Sequence, residues 1–276
     1  MFSGMAGVGH FFAWDGGCVL IGRHTAFVPP HAHQAIQIVF GQDRNVLLRG
    51  SDQEAWVEHR LAIIPSRQPH SLDATACSHA CVVFVEPETR EGRALTERYL
   101  EHGIASVDAP YLADLIPPLF EAWQTRPDST VVSRAVWQII RALTGGVEPS
   151  VITDPRIERA VAYINVHLSE NPTLDEVARE SNLSPSRFRH LFVEQTGMGL
   201  RPYMLWRRLL KVWELLMDGA SLSAAAHAAG FADSAHLSRT SKRMFGIPPS
   251  AIQIVSPMAA RAPELTAYKP APAFKT

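Results

Sequence analysis

Between Thr173 and Phe245 one local pattern occurs twice, and no other stretch of the chain limits the fold so tightly. Thr173 and Glu176 stand at capping-box spacing and open a short helix to about Arg179. Asn182-Leu183 makes a turn. Ser184-Pro185 then starts a second helix, as N-cap followed by first-turn proline, ending near Gly197. The pattern returns as a helix from Ser221 to Ala229, a turn at Gly230-Phe231, and a helix capped by Asp233 that runs to Phe245. A longer helix, from about Pro202 to Met217 and stopped by Gly219, joins the two units. Short helix, tight turn and second helix make a helix-turn-helix arrangement. Upstream, Asp154-Pro155 opens another helix, with Ile157, Val161, Ile164 and Leu168 on one face.

The joining helix spans roughly 24 Å at about 1.5 Å per residue. With its turns added, the two second helices can sit about one DNA turn, ~34 Å, apart. The first offers Ser186, Arg187, Arg189 and His190, and the second Ser234, His236, Ser238, Arg239 and Lys242. Arginine pairs with guanine edges or phosphates, and serine and histidine do either more weakly. Phe188, Leu191, Phe192, Leu237 and Phe245 are the apolar residues expected to seat these helices. A plain helical bundle with solvated cations is the competing reading. Arg239, six residues after Asp233, can also form an ion pair within its own unit.

Charge divides along the same line. The net charge is -1, yet residues 1–150 carry 11 basic and 16 acidic side chains, whereas residues 179–243 carry 10 and 5. A basic C-terminal half points to a polyanionic partner or to ordinary variation between domains.

Up to about residue 107 the texture differs. Short apolar runs, Val19 to Gly22, Ala35 to Phe40, Asn45 to Leu48, Leu61 to Ile64 and Ala80 to Val85, are cut by turn residues and read as strands of a small sandwich or barrel. Tyr111 to Thr125 and Ser129 to Leu143 read as two helices, with Pro117-Pro118 expected to kink the first. Leu112, Leu115, Leu119 and Trp123 form one apolar stripe, and Val132, Ala135, Ile139 and Leu143 another; they either close the barrel or pair with a second copy. The segment from Gly145 to Ser150 reads as a linker. The domains expected are therefore 1–107 (barrel), 108–144 (helices), 145–153 (linker), 154–254 (helical domain) and a disordered tail over 255–276.

Residues 155–253 resemble the DNA-binding domain of the AraC-type transcription regulators. The matching landmarks are Leu174-Asp175-Glu176-Val177-Ala178, Asn182-Leu183-Ser184-Pro185-Ser186-Arg187-Phe188, Phe192, Gly197 and Pro202-Tyr203. They continue as Ala229-Gly230-Phe231-Ala232-Asp233-Ser234, Ser238-Arg239, Lys242-Arg243-Met244-Phe245-Gly246 and Pro248-Pro249. The resemblance implies that the two second helices read adjacent major grooves, through Ser186, Arg189 and His190 and through Ser234, Ala235, His236 and Arg239. Three departures touch affinity and sequence preference: Ser241 at a usually apolar position, Ile252-Gln253 in place of an aromatic and an arginine, and His190 in place of a longer base.

The N-terminal half resembles the cupin-like sensing barrel that often precedes such a domain, through Pro30-His31-Ala32-His33, Gly41, Ile63-Ile64-Pro65 and Pro69-His70. On one strand His31, His33 and Gln37 share a face. The resemblance implies a metal held by a His-x-His pair, a carboxylate and a late histidine. His70 fits the last, but Gln37 stands where the carboxylate belongs. Three neutral imidazoles still suit zinc, nickel, iron or copper. A small-molecule pocket or core lined by His31, His33, Gln37 and His70 is the other reading, and His24 fits either.

The expected fold is α+β: a cupin-like β-barrel with dimerisation-type helices, then an all-α domain of two helix-turn-helix units. The expected function is a DNA-binding transcription regulator under small-molecule control, with no catalytic residues and no required cofactor, a divalent metal being admitted. The alternative is a metal-dependent cupin sensor or enzyme fused to a DNA-binding domain. The resemblance points to a homodimer and admits contact with RNA polymerase. Cys18, Cys77 and Cys81 are an odd, small set that suits buried thiols in a reducing compartment. With no apolar run near ~18 residues and no basic residue before Arg23, a cytoplasmic location without membrane contact is expected.

Overall fold

The computed structural model describes residues 7–148, 152–245 and 248–254. The N-terminal half forms strands β1 (Gly7–Trp14), β2 (Gly17–His24), β3 (Val28–His31), β4 (Ile36–Gly41), β5 (Val46–Arg49), β6 (Val57–His59), β7 (Leu61–Ile64), β8 (His70–Asp73) and β9 (Ala80–Val85). Helix α1 (Arg90–Tyr99), strand β10 (Ala105–Val107) and helices α2 (Leu112–Thr125) and α3 (Ser129–Thr144) follow. One sheet runs in the order β10-β7-β4-β9-β2-β1 and the other in the order β3-β8-β5-β6, every pairing antiparallel.

The central strand β9 shows why both faces must be apolar. Val82 and Phe84 point into the barrel, whereas Cys81, Val83 and Val85 point outward beneath the helices. All six residues are buried, so the strand reads as an unbroken apolar run. The outer face is covered by Leu112, Ile116, Leu119, Phe120 and Trp123 of α2 and by Val132, Val136, Ile139, Ile140 and Leu143 of α3. The stripes expected as either lid or dimer surface are therefore a lid on the chain's own sheet. Of the two stripes, Leu112, Leu119, Trp123, Val132, Ile139 and Leu143 are buried against the adjacent sheet, whereas Leu115 and Ala135 are half-buried.

Several elements depart from the sequence expectation. The strands β1, β3, β6, β8 and β10, and helix α1, were not foreshadowed by apolar runs. Just before α1, Thr89 accepts from the Gly92 amide at 3.0 Å. His31 ends β3, His33 lies in the connection and Gln37 sits on β4, so strand alternation does not put them on one face.

The C-terminal half is helical: α4 (Pro155–Val166), α5 (Leu174–Glu180), α6 (Pro185–Thr196), α7 (Leu200–Met217), α8 (Leu222–Ala228) and α9 (Ser234–Phe245). Strand β11 (Ile252–Ile254) returns to pair in parallel with β1 at the sheet edge. The predicted caps form. Asp154 accepts from the Arg156 amide, Ser184 from Arg187, Ser221 from Ala224, and Asp233 from His236. Thr173 and Glu176 make the reciprocal capping box. Helix α7 starts two residues before the expected Pro202, which takes a first-turn position. At the turn before α9, Gly230 has φ +79°, and a Cβ there would sit 2.8 Å from the Ser169 Cα. No helix among the described residues is long and apolar enough to cross a membrane. The expected tail over 255–276 lies outside the described residues.

Candidate nucleic-acid interface and barrel pocket

Phe188, Leu191 and Phe192 seat α6, and Leu237, Met244 and Phe245 seat α9, all of them buried. Helical periodicity then turns Ser186, Arg187, Arg189 and His190 outward on α6, where all four are exposed. On α9, Ala235, His236, Arg239 and Lys242 are exposed and Ser234 and Ser238 are half-buried. The ion pair considered for Arg239 is not formed among the described residues. His236 packs edge-on against Phe231 at 5.4 Å, so it also braces the turn. Ser241 is fully buried, and its hydroxyl stands where an apolar group would fill the seat. Helix α7, with 18 residues, is about 27 Å long.

The opposite ends of both helices rest on the barrel half. Arg90 of α1 donates to the Glu194 carbonyl near the end of α6, at 2.5 Å. The amides of Gln34 and Ala35 donate to the Arg243 and Met244 carbonyls in the last turn of α9, at 2.8 and 3.4 Å. These carbonyls are among the acceptors that a helix end leaves without partners of its own. Between them α7 is anchored by three side chains. The buried Trp206 indole donates to Glu86 at 2.7 Å, Arg207 pairs with Asp15 at 3.0 Å, and the Tyr203 hydroxyl donates to Asp15 at 3.3 Å. Phe11 stacks on Trp213 at 5.0 Å, and Phe84 meets Phe245 at 5.2 Å. Sequence reasoning did not foresee these contacts, because no local pattern marks residues more than a hundred positions apart.

Inside the barrel a cavity is lined mainly by apolar side chains, among them Leu20, Val28, Leu72, Val82 and Phe84. His24, His31 and Gln37 supply its polar edges, and Phe245 of α9 closes one side. The wall thus belongs to both halves of the chain.

Next to the cavity the structure gathers three of the predicted histidines. One ring nitrogen from each of His31, His33 and His70 lies within 4.8 Å of the other two. Each Nδ1 faces a backbone carbonyl: Pro29 for His31, Ala35 for His33 and Gln68 for His70, at 2.8, 2.8 and 2.9 Å. Gln37 is 2.8 Å from His33 Nε2. Burial lowers all three imidazoles below the usual range, to about 4 for His33 and about 3 for His70. His24 lines the cavity without joining the three. The thiols of Cys18, Cys77 and Cys81 are free and buried, and burial raises all three, Cys77 to about 11.

Residues 177–253 match a family model described as a helix-turn-helix domain. The regulatory protein PocR of Salmonella typhimurium is 28% identical over 99 residues, which is 36% of this chain and 33% of that protein. The transcriptional activator RhaS of Escherichia fergusonii is 30% identical over 130 residues, 45% of this chain and 47% of that protein. The matched stretch thus spans a third to a half of these relatives. A solved structure of ToxT from Vibrio cholerae is 13% identical, with a TM-score of 0.46 over 87% of this chain and 97% of that one.

Proposed function

We propose that this chain belongs, through residues 177–253, to the AraC-type helix-turn-helix family, and that it is a transcription regulator that binds double-stranded DNA sequence-specifically. The observation that carries this reading is the outward row of Ser186, Arg187, Arg189 and His190 on α6, matched by Ser234, Ala235, His236, Ser238, Arg239 and Lys242 on α9. A rigid α7 between them suits insertion into successive major grooves, about 34 Å apart. Arginine contacts to bases would set sequence preference, and contacts to phosphates would make binding weaken as salt rises.

Control is assigned to the barrel cavity. Its apolar lining suits a small, largely hydrophobic effector, oriented by the few polar groups at the edge. Phe245 couples the two sites, because a ligand that packs against it acts directly on the end of α9. A ligand shifts the DNA-binding equilibrium only if it binds two arrangements differently. A homodimer and contact with RNA polymerase belong to the same reading.

The test is selection of bound fragments from genomic DNA by the purified chain, with Arg189→Ala and Arg239→Ala as controls. The expected result is one motif with two blocks about a helical turn apart, each control relaxing one block. Equal retention of all fragments by the folded wild-type chain and both controls would refute specific recognition.

A further inference from the structure

We propose that Arg208 is a positioning residue: it locks the two helix-turn-helix units into one body and so fixes the gap between the DNA blocks that α6 and α9 read. The proposal deepens the reading of α6 and α9 given above and rests on it. Arg208 stands at the middle of α7 and is half-buried. Its Nε and Nη2 both donate to the Leu168 carbonyl oxygen, at 3.1 and 3.0 Å, and Nη2 also donates to the Asn171 side-chain oxygen at 3.1 Å. Leu168 and Asn171 lie in the connection from α4 to α5, which belongs to the first unit. Burial acts against the charge of Arg208, and among the described residues no carboxylate pairs with it. Its neighbour Arg207 divides its guanidinium between Asn165 of α4 and Asp15 of the barrel. Arg208 is thus the cation of α7 given wholly to the α4–α5 connection.

The second unit rests on the same connection. Gly230, in the turn between α8 and α9, has a left-handed φ of +79°, and a Cβ there would lie 2.8 Å from the Ser169 Cα and 3.2 Å from the Leu168 carbonyl oxygen. That one oxygen is therefore bonded from α7 and closely approached by the turn of the second unit. Asn171 has φ 59°, a left-handed conformation that asparagine tolerates better than most residues, and its side chain completes the Arg208 contact. Ser169, Gly230 and His236 line one open hollow at this junction. His236 belongs to the outward row of α9, so the junction lies at the reading end of that helix.

The barrel half holds only the opposite ends, at the Glu194 carbonyl of α6 and in the last turn of α9. At the near end the apolar seat of α7 supplies attraction but little direction, because hydrophobic burial is non-directional. A planar guanidinium with two donors on one carbonyl and one on Asn171 fixes direction as well as distance. Direction matters on DNA. One base pair added between two blocks moves the second by about 3.4 Å and turns it by about 35°. A rigid pair of helices rejects that change, and a loose pair follows it.

The full chain, as wild type, Arg208→Lys, Arg208→Ala and Asn171→Gly, selects from one randomised duplex library, and the bound fraction is read for the gap between the two blocks. Thermal denaturation checks that each chain is folded. We expect wild type to hold one gap about tenfold or more over gaps one base pair shorter or longer, and Arg208→Ala to bring that preference below about threefold. Arg208→Lys should lose nearly as much, because an ammonium keeps the charge but lacks the fork. Asn171→Gly keeps the left-handed backbone and removes one acceptor, so it should loosen the gap partway. If Arg208→Ala does not fold, the lysine and Asn171 variants decide. Weaker binding at every gap alike, with the preference intact, would mean a role in stability alone and overturns the proposal. Full rescue by Arg208→Lys also overturns it, since charge at that place would then suffice. No preferred sequence for folded wild type refutes the reading of α6 and α9 itself, and the proposal falls with it.

Discussion

At the residue scale, the buried carboxylates report most directly on the balance of forces. Glu91 lies in the first turn of α1, where helix amides favour an anion, yet it is only 2% exposed and its Oε2 lacks a partner. Burial wins and raises it from 4.5 to about 7. Between those values the folded chain holds a proton that the unfolded chain has released. Stability from this group is therefore greatest below about pH 4.5 and falls as pH rises to about 7, by ~3 kcal/mol at most. Glu86 is shifted in the same direction by burial. We expect Glu91→Gln to flatten the fall and to melt several degrees higher than wild type at pH 8, read by thermal denaturation at pH 5 and pH 8. Phe188 gives the complementary case. It is fully buried beneath α6, and Phe188→Ala should cost about 3–5 kcal/mol in chemical denaturation.

At the element scale, the helix starts follow local rules and the strand partners do not. Each cap in the C-terminal half satisfies an amide that the helix cannot satisfy itself, and Thr173→Ala should cost about 1 kcal/mol. Gly230 is more demanding, because a left-handed backbone and the close Ser169 Cα act together. Gly230→Ala should cost more than ~2 kcal/mol and loosen the second unit, seen as faster amide exchange in α8 and α9. On the barrel side, β1 was missed because Gly7 and Gly9 break its apolar run. Those glycines have a packing reason: a Cβ on Gly9 would lie 2.4 Å from the Ile21 carbonyl oxygen of β2.

At the scale of the whole molecule, the two halves meet over a shared core in which Phe11, Phe84, Trp206, Trp213 and Phe245 are all buried. Asp15 with Arg207, and Glu86 with Trp206, are the polar anchors of that contact. Trp206→Phe should destabilise the chain by about 1–3 kcal/mol, since it keeps most of the packing but leaves Glu86 without its buried donor. Asp15→Ala, at a partly exposed pair, should change stability by less than ~1 kcal/mol. In a DNA-binding titration Asp15→Ala should still shift apparent affinity or effector response, because it frees α7 from β1–β2. An unchanged titration would show that the contact does not control the helical half.

Much was readable from the sequence alone because it depends on neighbours in the chain. Caps, turns and the outward rows on α6 and α9 follow from spacing of three or four residues, and the inward and outward faces of β9 follow from a spacing of two. The tertiary structure alone decided how distant residues combine. It put His31, His33 and His70 together from β3, a connection and β8, rather than from one strand. It turned the α2 and α3 stripes onto the chain's own sheet, and it set Phe245 in the barrel cavity. The physical reason is that local hydrogen bonding and periodicity act over a few residues, whereas hydrophobic burial is non-directional and is resolved only when the whole chain packs.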